Sequence, residues 1–225
     1  MSTRPAWWAI VTGGLVVIGL VLSPIWLKEI SGYIEPEEEE APFPEAYYEL
    51  PDTAREIYDA MYQDEPQMAI DFVAARLAEQ VDVEDPNLPV IEEANNPGTV
   101  SHVLTGSFVT LDPTRGASGE ANIFILPDQR RLIRLENLEA VGGPDLRVLL
   151  TAHPAPQTLE DLTQPDIAGL QLDLGPLGGV LGNQNYEAEI LFNTNNFQDG
   201  SVVLFSERYN IVFSYASLSL VETPE

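Results

Sequence analysis

Residues 173–186 read Asp-Leu-Gly-Pro-Leu-Gly-Gly-Val-Leu-Gly-Asn-Gln-Asn-Tyr, with glycines and one proline set among apolar residues. Glycine permits positive φ and close backbone approach. Proline fixes φ and withholds a donor, so no helix interior can run through this stretch. The pattern predicts a tight corner joining two strands, with Leu174, Leu177, Val180 and Leu181 turned inward. Gly175, Gly178, Gly179 and Gly182 are then structural residues of that corner, and Tyr186 closes it.

The rest of the C-terminal half follows the same grammar. Short apolar or alternating runs recur at 103–111, 121–126, 132–138, 146–152, 167–174, 182–189, 202–205 and 211–220. In the third, Ile133 and Leu135 alternate with Arg134 and Glu136, which is the period of a strand. About eight short strands separated by Gly, Pro, Asn and Asp turns predict a mainly β domain over residues 100–221. An antiparallel sandwich or barrel is the expected architecture.

Four motifs in order carry a family resemblance: Gly143-Pro144-Asp145-Leu146, the run from Leu174 to Tyr186, Ser201-Val202-Val203, and Phe213-Ser214-Tyr215-Ala216-Ser217-Leu218. Together they resemble the DM-thirteen domain, the small electron-transfer domain of Skeletor-type proteins, often found beside DOMON domains. The resemblance implies the β fold and a role in redox chemistry. In that family a cysteine usually follows the Val-Val strand and is the residue proposed for chemistry, as a thiol or a haem ligand. Here Ser206 takes its place, and the chain has no cysteine. Thiol exchange and sulfenate chemistry are therefore excluded. The family's histidine near its Ser-Gly motif is also missing; Arg115 precedes Gly116-Ala117-Ser118-Gly119.

Charge narrows the partners. The net charge is -26, and residues 35–98 hold only Arg55 and Arg76 as cations. Nucleic-acid binding needs basic residues to displace counterions, so it is excluded as a function. Anionic headgroups would repel the body of the protein. A basic partner, divalent cations or a salty medium would suit it.

Residues 6–27 are uncharged and, at about 1.5 Å per residue, long enough to cross about 30 Å of hydrocarbon. Trp7, Trp8 and Trp26 sit at its ends as interfacial aromatics do. A cleaved signal peptide is the alternative, but the run exceeds the usual apolar core and no Ala-x-Ala site follows. The expectation is one transmembrane anchor in the lipid bilayer, with residues 1–5 inside and an extracytoplasmic body. Residues 28–51 read as an acidic, Pro-stiffened spacer.

Residues 52–84 predict a short helical hairpin. Thr53-Ala54-Arg55-Glu56 has capping-box form, and Ala54, Ile57, Tyr58 and Met61 share a face. A second helix starting at Pro66 puts Ile70, Val73, Ala74, Leu77 and Val81 on one side. The hairpin packs on the β-domain by default; a partner subunit is the alternative. Residues 85–99 form a second linker and 222–225 a tail.

Little in the chain carries chemistry. No nucleophile elbow or phosphate-binding loop occurs. His102 and His153 are the candidate ligands if a haem is bound, with Met61 or Met68 as a second ligand. Residues 193–200 lack the alternating ligands and final glutamate of a calcium loop and predict a hairpin loop. Asp145 reads as a turn residue or a buried acid, and Tyr186, Tyr209 and Tyr215 as packing residues or an electron relay. Two classes of function remain. One is a non-catalytic, membrane-anchored interaction module or accessory subunit without a cofactor. The other is a redox protein using a bound haem or metal.

Overall fold

The computed structural model describes residues 42–87, 100–188 and 192–221. The expected anchor at 6–27, both terminal tails, most of the first spacer and residues 88–99 lie outside the described residues. Among the described residues no helix is long and apolar enough to cross a membrane.

The strands are β1 (Asp82–Glu84), β2 (Ser101–Ser107), β3 (Thr110–Asp112), β4 (Arg115–Ile125), β5 (Arg131–Ala140), β6 (Leu146–Thr151), β7 (Gln171–Pro176), β8 (Leu181–Glu187), β9 (Ser201–Ser206), β10 (Ile211–Ser217) and β11 (Ser219–Leu220). The larger sheet runs β1-β8-β5-β4-β2-β11, with β3 paired to β4; the smaller runs β10-β9-β6-β7. Among the described residues only β1 and β8 pair in parallel.

The fold is a mainly β, sandwich-like arrangement and not a closed barrel. The end strands of the larger sheet, β1 and β11, do not pair with each other, nor do β7 and β10 in the smaller. Pro86 follows β1 and Pro176 ends β7, where a missing N–H stops further pairing. The strand count exceeds the expected eight because β1, β3 and β11 span only two or three residues. So short a segment leaves no alternation to read; the predicted runs 103–111 and 211–220 each merge two strands.

Period-2 patterning explains the core. Ala121 and Ile123 of β4 and Ile133 and Leu135 of β5 face Val148, Leu150, Val202, Leu204 and Phe213 of the smaller sheet in one cluster. The smaller sheet's outer face is apolar too. Val203, Phe205 and Val212 pack under Leu162 of α3 (Leu159–Thr163). Thr158 caps that helix, its Oγ1 accepting from the Asp161 N–H while the Asp161 carboxylate accepts from the Thr158 N–H.

Two further helices, α1 (Asp52–Asp64) and α2 (Pro66–Leu77), form the hairpin. The capping box expected at Thr53 is absent. The Pro51 carbonyl accepts from Ala54 (2.9 Å) and Arg55 (3.1 Å), so the helix starts earlier and Thr53 lies inside it. The buried face of α2 is also turned from the expected one: Ala69, Phe72 and Val73 are buried, whereas Ile70 is 37% exposed. Phe72 decides this, because its larger ring is taken up between Tyr209 (5.7 Å) and Phe213 (5.4 Å). Val81, placed on the helix by the sequence reading, lies beyond its end at Leu77. The hairpin's apolar side joins the β core. The spacer ends sooner than residue 51, since Phe43 and Tyr47, at the 3-10 turn Glu45–Glu49, are buried in the same core.

The outer face of the larger sheet carries a polar row, buried at Asn122 and Arg134. Thr105, Asn122, Arg134 and Asn185 sit in register on four adjacent strands. Arg134 is 1% exposed. Its guanidinium donates to Glu136 (2.7 Å), Asn185 Oδ1 (2.8 Å), Asn87 Oδ1 (2.6 Å) and the Pro86 carbonyl (3.2 Å). The start of the predicted second linker is thereby fixed to the sheet. Removing this buried donor set with Arg134→Ala should destabilise the fold by about 3 kcal/mol, read as a lower denaturation midpoint.

Candidate functional site

The glycine-rich stretch carries the chain from β7 in the smaller sheet to β8 in the larger. Its clamp is the buried amide of Gln184. Oε1 accepts from the backbone N–H groups of Gly178 (3.0 Å) and Gly179 (3.3 Å) and from the Tyr186 hydroxyl (2.8 Å). Nε2 donates to the Gly179 carbonyl at 2.7 Å. Leu174, Leu177 and Val180 pack on the core, while Leu181 pairs with Asp82 of β1. Burial raises the Tyr186 ionisation above its ordinary value, opposed by the Gly178 N–H and reinforced by Asp85.

Two of the glycines are required by backbone conformation: Gly175 at φ 114° and Gly182 at φ 94°. A Cβ on Gly182 would also lie 2.1 Å from the Val83 carbonyl oxygen, and one on Gly179 2.4 Å from that of Val81. The corner is thus a seat for the backbone of residues 81–83.

The second motif and the Ser206 position meet at one place. Ser206 is fully buried, and its hydroxyl donates to the Pro144 carbonyl at 2.7 Å. A Cβ on Gly143 would strike the Phe213 ring at 2.2 Å. Asp145 is exposed, not a buried acid; it adopts φ 48° and accepts from Arg208 Nε at 2.7 Å. Arg208 reaches on to Asp71 of α2 (2.7 Å), which also accepts from the Tyr209 hydroxyl (2.7 Å). The Tyr209, Arg208 and Gln67 hydrogen bonds hold the Asp71 carboxyl below the usual carboxylate range. Helix α2 is therefore tied down beside the serine.

The histidines are not brought together. His102 lies on β2 of the larger sheet, stacked on Phe124 with centroids 4.6 Å apart. Its Nε2 is 3.0 Å from Asn122 Oδ1, whose amide nitrogen donates to Glu136. That orientation makes Oδ1 the acceptor, so Nε2 carries the proton and offers no lone pair. His153 follows β6 of the smaller sheet, and its Nδ1 accepts from Ala155 N–H at 3.2 Å. Three clefts, of about 250, 320 and 320 Å³, have no histidine or methionine in their walls. His102 on the larger sheet and His153 after β6 of the smaller share no metal site with acidic residues among those described. Tyr186, Tyr209 and Tyr215 are likewise dispersed: at the corner, against Phe72, and in the outer cluster under α3.

Gln184, Arg134 and Asp71 are the organising side chains that sequence reading passed over. Alternation places Arg134 opposite the core and does not signal that this side is also covered; Gln184 pairs with Leu135 on the core side, and Asp71 finds its partners from a helix.

The model of the family described as "Electron transfer DM13" matches residues 93–218. No curated protein and no solved structure matches.

Gly175→Ala should cost about 1 kcal/mol through φ alone, and Gly182→Ala more, because it also expels β1; thermal melts of the two variants give the order. Asp71 supplies a pH test. Its folded carboxyl titrates below its unfolded value, so its contribution is present above about pH 4 and lost as pH falls through the depressed value. Asp71→Asn should flatten the acid limb of the stability-versus-pH curve.

Proposed function

The chain belongs to the DM13 electron-transfer family, and from that premise we propose that it is a membrane-anchored, extracytoplasmic member acting as a non-catalytic interaction module or accessory subunit of a membrane assembly. The observation that carries this reading is the state of Ser206. The residue standing where the family places its reactive cysteine is sealed in the core and spends its hydroxyl on the Pro144 carbonyl. A substrate has no approach to it, and a hydroxyl is neither a thiolate nor a soft iron ligand.

The uncharged run at 6–27 supports the anchor, and the Pro/Glu stretch after it supports a spacer that lifts the acidic body off the bilayer. The charge of the body favours a basic protein surface as the partner's contact face.

The test uses full-length protein solubilised from native membranes. Its mass should include residues 6–27, and a membrane protein should co-purify with it. Ser206→Ala should retain that companion and lose only about 1 kcal/mol of stability, one neutral hydrogen bond. A mature chain starting near Ile30 would remove the anchor. A Soret band abolished by Ser206→Ala would overturn the non-catalytic reading.

A further inference from the structure

Upstream of the family match, four aromatic rings gather around that of Tyr47. Its centroid is 4.3 Å from Phe43, 5.3 Å from Tyr48 and 6.4 Å from Tyr58; Tyr62 lies 5.4 Å from Phe43. Tyr47 and Tyr58 are 2% and 1% exposed, whereas Tyr48 is 52% exposed. A ring path therefore connects solvent to a buried phenol.

The Tyr47 hydroxyl has two acceptors, the Arg55 carbonyl at 3.0 Å and Asp59 Oδ1 at 2.8 Å. The carbonyl alone would satisfy a buried phenol. The carboxylate adds a base aligned on the phenolic proton, and Asp59 itself is exposed, in contact with water. Burial first, then the bond to Asp59 and its charge, hold the Tyr47 ionisation far above the ordinary tyrosine value. At neutral pH the ring keeps its proton and cannot act as a phenolate.

We propose that Tyr47 and Asp59 form a redox-active pair that exchanges one electron and one proton. A high-potential one-electron oxidant, meeting the chain at Tyr48, removes one electron from Tyr47 and is itself reduced by one electron. The O–H bond of Tyr47 breaks, and its proton passes along the 2.8 Å hydrogen bond to Asp59. The products are a neutral tyrosyl radical and a carboxylic acid. Returning the electron reverses both transfers. The net negative charge of the protein draws cationic oxidants to this surface. The pair goes beyond the accessory-subunit reading and does not rest on it, since it uses neither the Ser206 position nor the anchor.

The experiment is flash oxidation of the detergent-solubilised full-length chain by photogenerated tris-bipyridine ruthenium(III), followed by optical kinetics and freeze-quench electron paramagnetic resonance. The wild type should give a long-lived tyrosyl radical. Tyr47→Phe should remove it, and Tyr209→Phe, which leaves the pair intact, should retain it. Asp59→Asn removes the base at an exposed position where folding is safe. It should slow radical formation roughly tenfold, the loss of one charge-assisted hydrogen bond. A radical of unchanged yield and lifetime in Tyr47→Phe overturns the proposal. So does an Asp59→Asn rate equal to wild type, which settles the matter even if the phenylalanine variant fails to fold.

Discussion

A guanidinium withdrawn from water must find partners for its donors, and the larger sheet is arranged around that need at Arg134. Desolvating the charge costs several kcal/mol, which only well-placed acceptors offset. The acceptors come from β5, from β8 and from the segment after β1. Through Glu136 the network continues to Asn122 on β4, and from there to Thr105 and His102 on β2. One hydrogen-bonded chain therefore crosses the sheet in the order of its strands. An antiparallel ladder tolerates a slipped register only where its faces do not care; here a slip would leave a buried charge unpaired.

The family's motif positions act largely as seats for chain outside the family match. Gly179 and Gly182 admit the backbone of Val81 and Val83, and Gly142 admits the carbonyl of Ala75 at the end of α2. Asp145 and Ser206 frame the turn that Asp71 secures through Arg208 and Tyr209. These residues hold a helical hairpin and a short strand against the sandwich. Ser206 belongs to the same frame. A small hydroxyl satisfies the Pro144 carbonyl inside a site with no room and no solvent.

Much of the fold was legible. The alternation of Ile133 and Leu135 with Arg134 and Glu136 marked a strand, and the glycine run marked a corner, because period and backbone permission are local properties. What escaped was set by distance. The choice of Phe72 over Ile70 as the buried residue depends on Tyr209 and Phe213, far along the chain. Gln184 reads as an ordinary polar strand residue until its partners at Gly178 and Gly179 are seen. Tyr47 and Asp59 meet across the junction of a 3-10 turn and a helix, where no single period relates them.

The pairing of β1 with β8 has a kinetic consequence. Glu84 and Asn183 are 99 residues apart, and between them lie six strands of both sheets. Closing a loop of that length costs about 4 kcal/mol of chain entropy, and a parallel strand of three residues recovers little until its neighbours exist. The corner that receives Val81 and Val83 is itself a late product, because it bridges two sheets. During synthesis the hairpin thus leaves the ribosome ahead of every strand and waits long for its floor, because the partners of the Phe72 ring, Tyr209 and Phe213, lie in the last third of the chain.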